Sequence, residues 1–172
     1  MRWLKNLFHK EKPMLNINEI TNRLVFHEGL RLQPYYCTQG KQTIGVGRCI
    51  DTNPFTAEEL KVIGDWHHGI TREQAYYLLR NDINRIIEEC KKGIPFFDDL
   101  DDERQYALLD MTFQLGIKGV KKFKRMLEAL GRGNYHEAAA QCLDSTYAKQ
   151  TPKRAQRIAK LIDTGVWTTW IG

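Results

Sequence analysis

Between Asn16 and Gly29 the apolar residues Ile17, Ile20, Leu24 and Val25 recur at the spacing of one helix face. Asn16 with Glu19 three residues on suits a capped start, and Gly29 suits a stop. Glu28 therefore falls in the last turn. The pattern then becomes extended: Leu30–Tyr36, a turn at Thr38-Gln39-Gly40-Lys41, and a second strand over Gln42–Cys49. Thr43, Gly45 and Gly47 alternate on that strand and so share one face. Glycines there let a bulky substrate come close to the backbone.

Residues 51–69 are loop-rich, with a short helix at 56–62. Thr71 and Gln74 form a capping box for the next helix. It carries Ala75, Leu78, Leu79, Ile83, Ile86, Ile87 and Cys90 at helical spacing and ends at Gly93. Such a helix is roughly 30 Å long and can serve as a strut between two lobes. The stretch RQYALLDMTFQLG is apolar on nearly every face, the mark of a buried central helix. Further helices are predicted at 119–130, 134–143 and 151–164. In the last, Thr151 is the N-cap, Pro152 the first residue, and Gly165 the stop. The chain has no internal repeats. The fold class is α+β, mostly α.

A length of 172 residues suits one domain or two small lobes sharing a helix. No apolar run approaches the ~20 residues that span a bilayer. The start, MRWLKNLFHKEKP, lacks the apolar core and cleavage site of a secretory signal. The expectation is a chain made in the cytoplasm, without export signal or anchor. Arg2, Lys5, Lys10 and Lys12 with Trp3, Leu4, Leu7 and Phe8 make the N-terminus a basic amphipathic segment. It either lies on an anionic membrane or envelope surface or packs on the helical part. The net charge of +5 favours anionic partners, but its clusters carry no nucleic-acid-binding signature. Cys37, Cys49, Cys90 and Cys142 form no CxxC, and no His–Cys spacing fits zinc. They read as four free thiols, Cys90 and Cys142 as small core filler. His67 and His68 form a loop pair. Neither a metal nor a cofactor is expected.

The chemistry gathers at Glu28, Cys37 and Thr43. A helix C-terminus is electrostatically negative and disfavours a carboxylate, and burial acts in the same direction. An acid that keeps its proton near neutral pH can protonate a leaving group. Cys37 and Thr43, brought opposite by the hairpin, hold a water or act as nucleophile and base. The plainer alternative is a surface glutamate, a filler cysteine and a strand threonine.

HEGLRLQPYYCTQGKQTIGVG resembles the active-site stretch of phage-type lysozymes, the endolysins of glycoside hydrolase family 24. Their hallmark is Glu, eight residues, Asp or Cys, five residues, Thr, and Glu28, Cys37 and Thr43 match it at both gaps. ALLDMTFQLGIKGVKKF and QTPKRAQRIAKLIDTGVW also look like family segments, so the resemblance covers about residues 15–170. It implies two lobes around a cleft: an N-terminal extension (1–14), an N-terminal lobe (15–71), a connecting helix (72–92) and a helical C-terminal lobe (93–172).

The resemblance further implies that Glu28 is the general acid. Cys37 stands where T-even members carry aspartate, and Thr43 helps position the attacking water. Arg154 matches a basic residue near the acid. Phe113 and Gln114 match glycan-contacting cleft residues; Met126 and Gln141 align with substrate-contact positions of different chemistry. Tyr147 stands where T-even members carry tryptophan, still an aromatic, and Cys49 replaces a leucine and either lines or fills the cleft. Arg48 replaces a frequent histidine and is expected to pair with Asp82. The implied reaction is hydrolysis of the β-1,4 bond from N-acetylmuramic acid to N-acetylglucosamine in peptidoglycan, by a monomer released to the periplasm with a holin. A lytic transglycosylase and a non-catalytic wall-binding or virion tail protein are the rival readings.

Overall fold

The computed structural model describes residues 15–170. The N-terminal extension (1–14) lies outside them. In chain order the elements are α1 (Ile17–Glu28), β1 (Arg31–Tyr36), β2 (Gln42–Gly45), β3 (Arg48–Cys49), α2 (Ala57–Ile63), α3 (Arg72–Gly93), α4 (Asp102–Val120), α5 (Lys124–Gly131), α6 (Tyr135–Leu143), α7 (Thr146–Gln150) and α8 (Pro152–Thr164). Short 3-10 turns cover Trp66–His68 and Phe97–Asp99. The fold is α+β, mostly helical with one small antiparallel sheet in the order β1-β2-β3.

The Asn16 side chain accepts from the amides of Asn18 and Glu19 and starts α1. Glu19 pairs with Arg23. Arg23 is buried and also donates to both carboxylate oxygens of Glu103, at 2.6 and 2.8 Å, tying α1 to α4. Gly29 then ends α1 at φ 73°, its amide donating to the Val25 carbonyl. This stop leaves Glu28 as the last helical residue.

The sheet differs from the predicted hairpin. The second extended run breaks at Val46–Gly47 into β2 and β3, because Gly45 (φ 67°) and Gly47 (φ 63°) take left-handed backbone. Thr43 stands opposite Tyr35 on β1 and opposite Cys49 on β3. The two glycines also do not share an open face. A Cβ on Gly45 would make ordinary contact with the Ala75 methyl at 3.6 Å and Ile70 at 3.7 Å, so its left-handed backbone rather than lack of room calls for glycine there. A Cβ on Gly47 would meet Glu28 instead.

The 22 residues of α3 start with a full Thr71–Gln74 capping box and extend about 33 Å. Its Leu78 joins Ile44, Ile63, Ile70 and Ala75 in a small apolar cluster under the sheet. One residue on, Leu79 opens a run with Ile83, Ile86 and Cys90 that enters a larger cluster built with α4, α6 and α8. The strut thus belongs to two cores. α1, grouped with the sheet in the sequence reading, packs Ile20 and Leu24 into the larger cluster.

Residues 105–112 of α4 are all buried, as the apolar pattern predicts. Gly116 (φ 70°, ψ 160°) kinks this helix, which then runs on to Val120. The helix predicted at 119–130 therefore begins only at Lys124. α7 has no counterpart in the sequence reading, being five residues without an apolar period. Thr151 is the N-cap residue of α8 with Pro152 first in the helix, as predicted, but its side chain makes no capping bond: the hydroxyl donates back to the Tyr147 carbonyl at 3.1 Å and closes α7.

Candidate active site

Glu28 projects from the end of α1 with its side chain about one-fifth exposed, at 21%. Its Oε1 accepts from Arg154 Nη1 at 2.6 Å. Its Oε2 lies over Gly47, 2.9 Å from where a Cβ on that residue would stand. Glycine at 47 thus serves two demands at once, left-handed backbone and room for the carboxylate. Arg154 thus sets a cation against one oxygen of a carboxylate that stands at the C-terminal end of a helix.

Cys37 follows β1 at the start of the hairpin turn. The backbone N–H groups of Lys41 and then Gln39 hold its thiol below the usual cysteine range, against a small opposing effect of burial, and Thr43 and the Lys41 charge act in the same direction as the amides. Thr43 is buried, at 4% exposed, and its hydroxyl lies 3.1 Å from the Lys41 carbonyl. It is not among the residues that line the cavity of Glu28 and Cys37.

Glu28, Cys37, Gly47, Cys49, Phe113 and Gln114 line one cavity of about 400 Å³ between the sheet and the kinked end of α4; Arg48 and Asp82 also border it. The structure does not bring Met126, Gln141 and Tyr147 into this cavity. They line a second one of about 710 Å³ between α5, α6 and α7; Leu115 lines both. Met126 (1% exposed) and Tyr147 (4%) are also members of the large core. Cys90 and Cys142 are fully buried, and burial pushes their thiols up to about 11 and about 12. Among the described residues no group of three or more His, Cys, Asp or Glu side chains is placed to hold a metal ion, and no helix is long and apolar enough to cross a membrane.

Comparison with known proteins decides the family. The family described as phage lysozyme matches residues 25–162, most of the chain. The chain belongs to the phage lysozyme family.

Its relatives include a probable T4-type lysozyme 2 of Dictyostelium discoideum, 31% identical over 164 residues, covering 87% of this chain and 96% of the relative. The pre-baseplate central spike protein Gp5 of Enterobacteria phage T4 is 34% identical over 168 residues; these cover 90% of this chain and 29% of that protein. An endolysin of Acyrthosiphon pisum secondary endosymbiont phage 1 is 30% identical over 128 residues, covering 74% of this chain and 77% of the endolysin.

Two clusters of this phage lysozyme family member extend beyond the sequence reading. Arg48 contacts Asp82 (Nη1 to Oδ1, 3.0 Å) but also Glu59 (Nη2 to Oε2, 2.7 Å). Glu59 simultaneously accepts from the Thr56 amide and closes the capping box of α2. Burial opposes the charge on Glu59, but Arg48 and Asn81 outweigh it and hold its carboxyl below the usual range. Asp82 is pushed up by its burial despite Arg48. One buried cation is thus shared by two carboxylates, with Glu59 holding the larger part.

The second cluster stands behind Glu28. Arg154 donates through Nε to Asp110 Oδ1 at 2.8 Å, while Asp110 Oδ2 faces His27 Nδ1 at 2.8 Å and accepts from Tyr106 at 3.1 Å. Asp110 is fully buried; Arg154 and His27 outweigh that burial and keep it a carboxylate, below the usual range. The sequence signals only that Asp110 needs a partner, not which residues supply it. A lone acid inside an otherwise apolar helix requires a buried partner.

Proposed function

We propose that this protein hydrolyses the β-1,4 bond between N-acetylmuramic acid and N-acetylglucosamine in peptidoglycan. The observation that carries the proposal is the divided carboxylate of Glu28: one oxygen anchored by Arg154, the other beside Gly47 in the cavity that Cys37 and Phe113 share. A glycan strand lies along that cavity, with Phe113, Gln114 and Cys49 against its sugars and the neighbouring cavity of Met126, Gln141 and Tyr147 extending it. Glu28 gives its proton to the glycosidic oxygen through the unanchored side. The sugar moves toward an oxocarbenium ion.

Water attacks the opposite face, held by Cys37, whose sulfur is fixed by the Lys41 and Gln39 amides and by Thr43. Hydrogen bonds of this kind stabilise a thiolate, which accepts the proton that the water loses. Inversion at the anomeric carbon follows when the two groups leave room for a water between them. No step calls for a metal or cofactor.

The likeness to an endolysin supports lysis of a bacterial host; in this reading the protein acts from the periplasmic side, as a monomer released with a holin. The likeness to a pre-baseplate spike protein supports a second setting, the same reaction carried out within a virion. Loss of turbidity of permeabilised Gram-negative cells tests the activity. Chemical analysis of the new chain ends tests the reaction: free reducing N-acetylmuramic acid means hydrolysis, and anhydromuramic ends mean transglycosylation.

A further inference from the structure

We propose that His27 is a positioning residue of this site, which acts through Asp110 and Arg154 to govern whether Glu28 keeps its proton. The proposal rests on Glu28 being the general acid.

The contacts form one continuous chain. His27 Nδ1 lies 2.8 Å from Asp110 Oδ2, Asp110 Oδ1 accepts from Arg154 Nε at 2.8 Å, and Arg154 Nη1 reaches Glu28 Oε1 at 2.6 Å. The chain is shielded from water except at its end: side-chain exposure is 2% for His27, 0% for Asp110, 11% for Arg154 and 21% for Glu28, which opens on the cavity. Asp110 is an ionised acceptor that faces three donors, so the His27 proton sits on Nδ1, fixed by the carboxylate.

The charges then set the coupling. Arg154 is permanently positive, because burial, which opposes its charge, is outweighed by Asp110 and Glu28. Asp110 and Glu28 are two negatives against that one positive. With neutral His27 the chain sums to minus one, and a single added proton brings it to zero. That proton has two places to go, Glu28 or His27 Nε2, which is buried without a hydrogen-bond partner among the described residues. Two sites that compete for one proton across a shared, water-poor network titrate as a pair.

The surroundings do not hide this coupling. α4 presents Asp110 and Tyr106, the latter kept protonated by burial and by Asp110. α8 presents Arg154, and Lys153 and Arg157 line the cavity that His27 borders. Arg23 of α1 is committed to Glu19 and Glu103. Phe26 and Trp167 pack on the imidazole, at ring separations of 5.4 Å each. A cationic His27 favours the ionised, inactive form of Glu28, and a neutral one leaves the proton where the reaction needs it.

Two measurements test this. In His27→Asn the amide keeps a donor toward Asp110 but cannot titrate. The alkaline limb of kcat/KM, where Glu28 loses its proton, should then move up by about one pH unit. A limb that drops in height without moving means packing alone and overturns the proposal. NMR titration of the His27 ring needs no activity: its midpoint should fall by about one pH unit in Glu28→Gln relative to the unsubstituted protein. Equal midpoints overturn the proposal even if His27→Asn fails to fold. Failure of Glu28→Gln to abolish hydrolysis removes the acid itself, a separate outcome.

Discussion

Arg154 reaches Glu28 across 126 positions of sequence, with Nη1 2.6 Å from Oε1. The contact joins the first helix to the last and leaves the second carboxylate oxygen to the cavity. Arg154 also neutralises Asp110, so one side chain supports both the site and the core. Arg154→Lys supplies charge without the planar fork that serves Nε and Nη1 together. It should lower kcat at least about tenfold, equivalent to ~1.4 kcal/mol in the transition state. Arg154→Ala should in addition destabilise the fold by about 3–5 kcal/mol, because it takes from the buried Asp110 carboxylate its permanent cation and leaves only His27 and Tyr106 facing it. Chemical denaturation of the two variants separates the effects.

Gly47 and Gly40 form a matched pair. Both have left-handed backbone, at φ 63° and 71°, but a Cβ on Gly40 meets nothing within 4 Å whereas one on Gly47 stands 2.9 Å from Glu28 Oε2. Alanine at either position should cost about 1–2 kcal/mol of stability through backbone strain. Only Gly47→Ala should also depress kcat, by displacing the acid. Comparable activity in the two variants would contradict the placement of Glu28.

The helix pattern of the sequence carried most of the fold. The stop at Gly29, the long strut and the buried α4 follow from local signals, namely caps, glycines and apolar spacing. What escaped was set by distant contacts or by single glycines. The break between β2 and β3 depends on left-handed backbone at Gly45 and Gly47, whereas simple alternation reads as one strand. α7 is too short for periodicity. That Glu28 and Cys37 line one cavity was legible because one helix end and one hairpin hold them, whereas Thr43 on the same hairpin is buried away from it. The Arg154–Asp110–His27 chain was not, because its members meet only when α1, α4 and α8 pack. Glu59 was hidden for another reason: its capping role is local, but its ion pair with Arg48 is not.

Thiol chemistry should sort the cysteines by environment. Cys37 is held low by backbone amides and lines the cavity, so it should react first with alkylating reagents at neutral pH. Cys90 and Cys142 should resist until the protein unfolds. If the thiolate accepts the water proton, the rate should rise with pH through the depressed Cys37 value. Cys37→Asp should then retain much activity and Cys37→Ser little. Equal activity in the serine and aspartate variants points to a neutral water holder, and near-complete activity in Cys37→Ala removes Cys37 from the reaction.

Acid should weaken the fold through Asp110 and Glu59. Both carboxyls lie lower in the folded protein than their ordinary values, so their contribution is present above the unfolded range near pH 4 and is lost as pH falls through the folded values. The melting temperature should therefore hold between about pH 5 and 7 and drop below about pH 4. Asp110→Asn should flatten part of that drop. An unaltered slope in the variant would mean that Asp110 does not carry it.

The central claim is that Glu28 delivers the proton that breaks the glycosidic bond. Purified peptidoglycan digested with the unsubstituted protein and with Glu28→Gln, followed by analysis of new reducing ends, tests it most directly. The amide keeps the shape and the Arg154 contact but has no acidic proton, and general acid catalysis is typically worth about 10²–10⁴-fold. The account predicts free N-acetylmuramic acid reducing ends from the unsubstituted protein and at least about a hundredfold fewer from a folded Glu28→Gln. Reducing ends released by Glu28→Gln at more than about a tenth of the unsubstituted rate would contradict it.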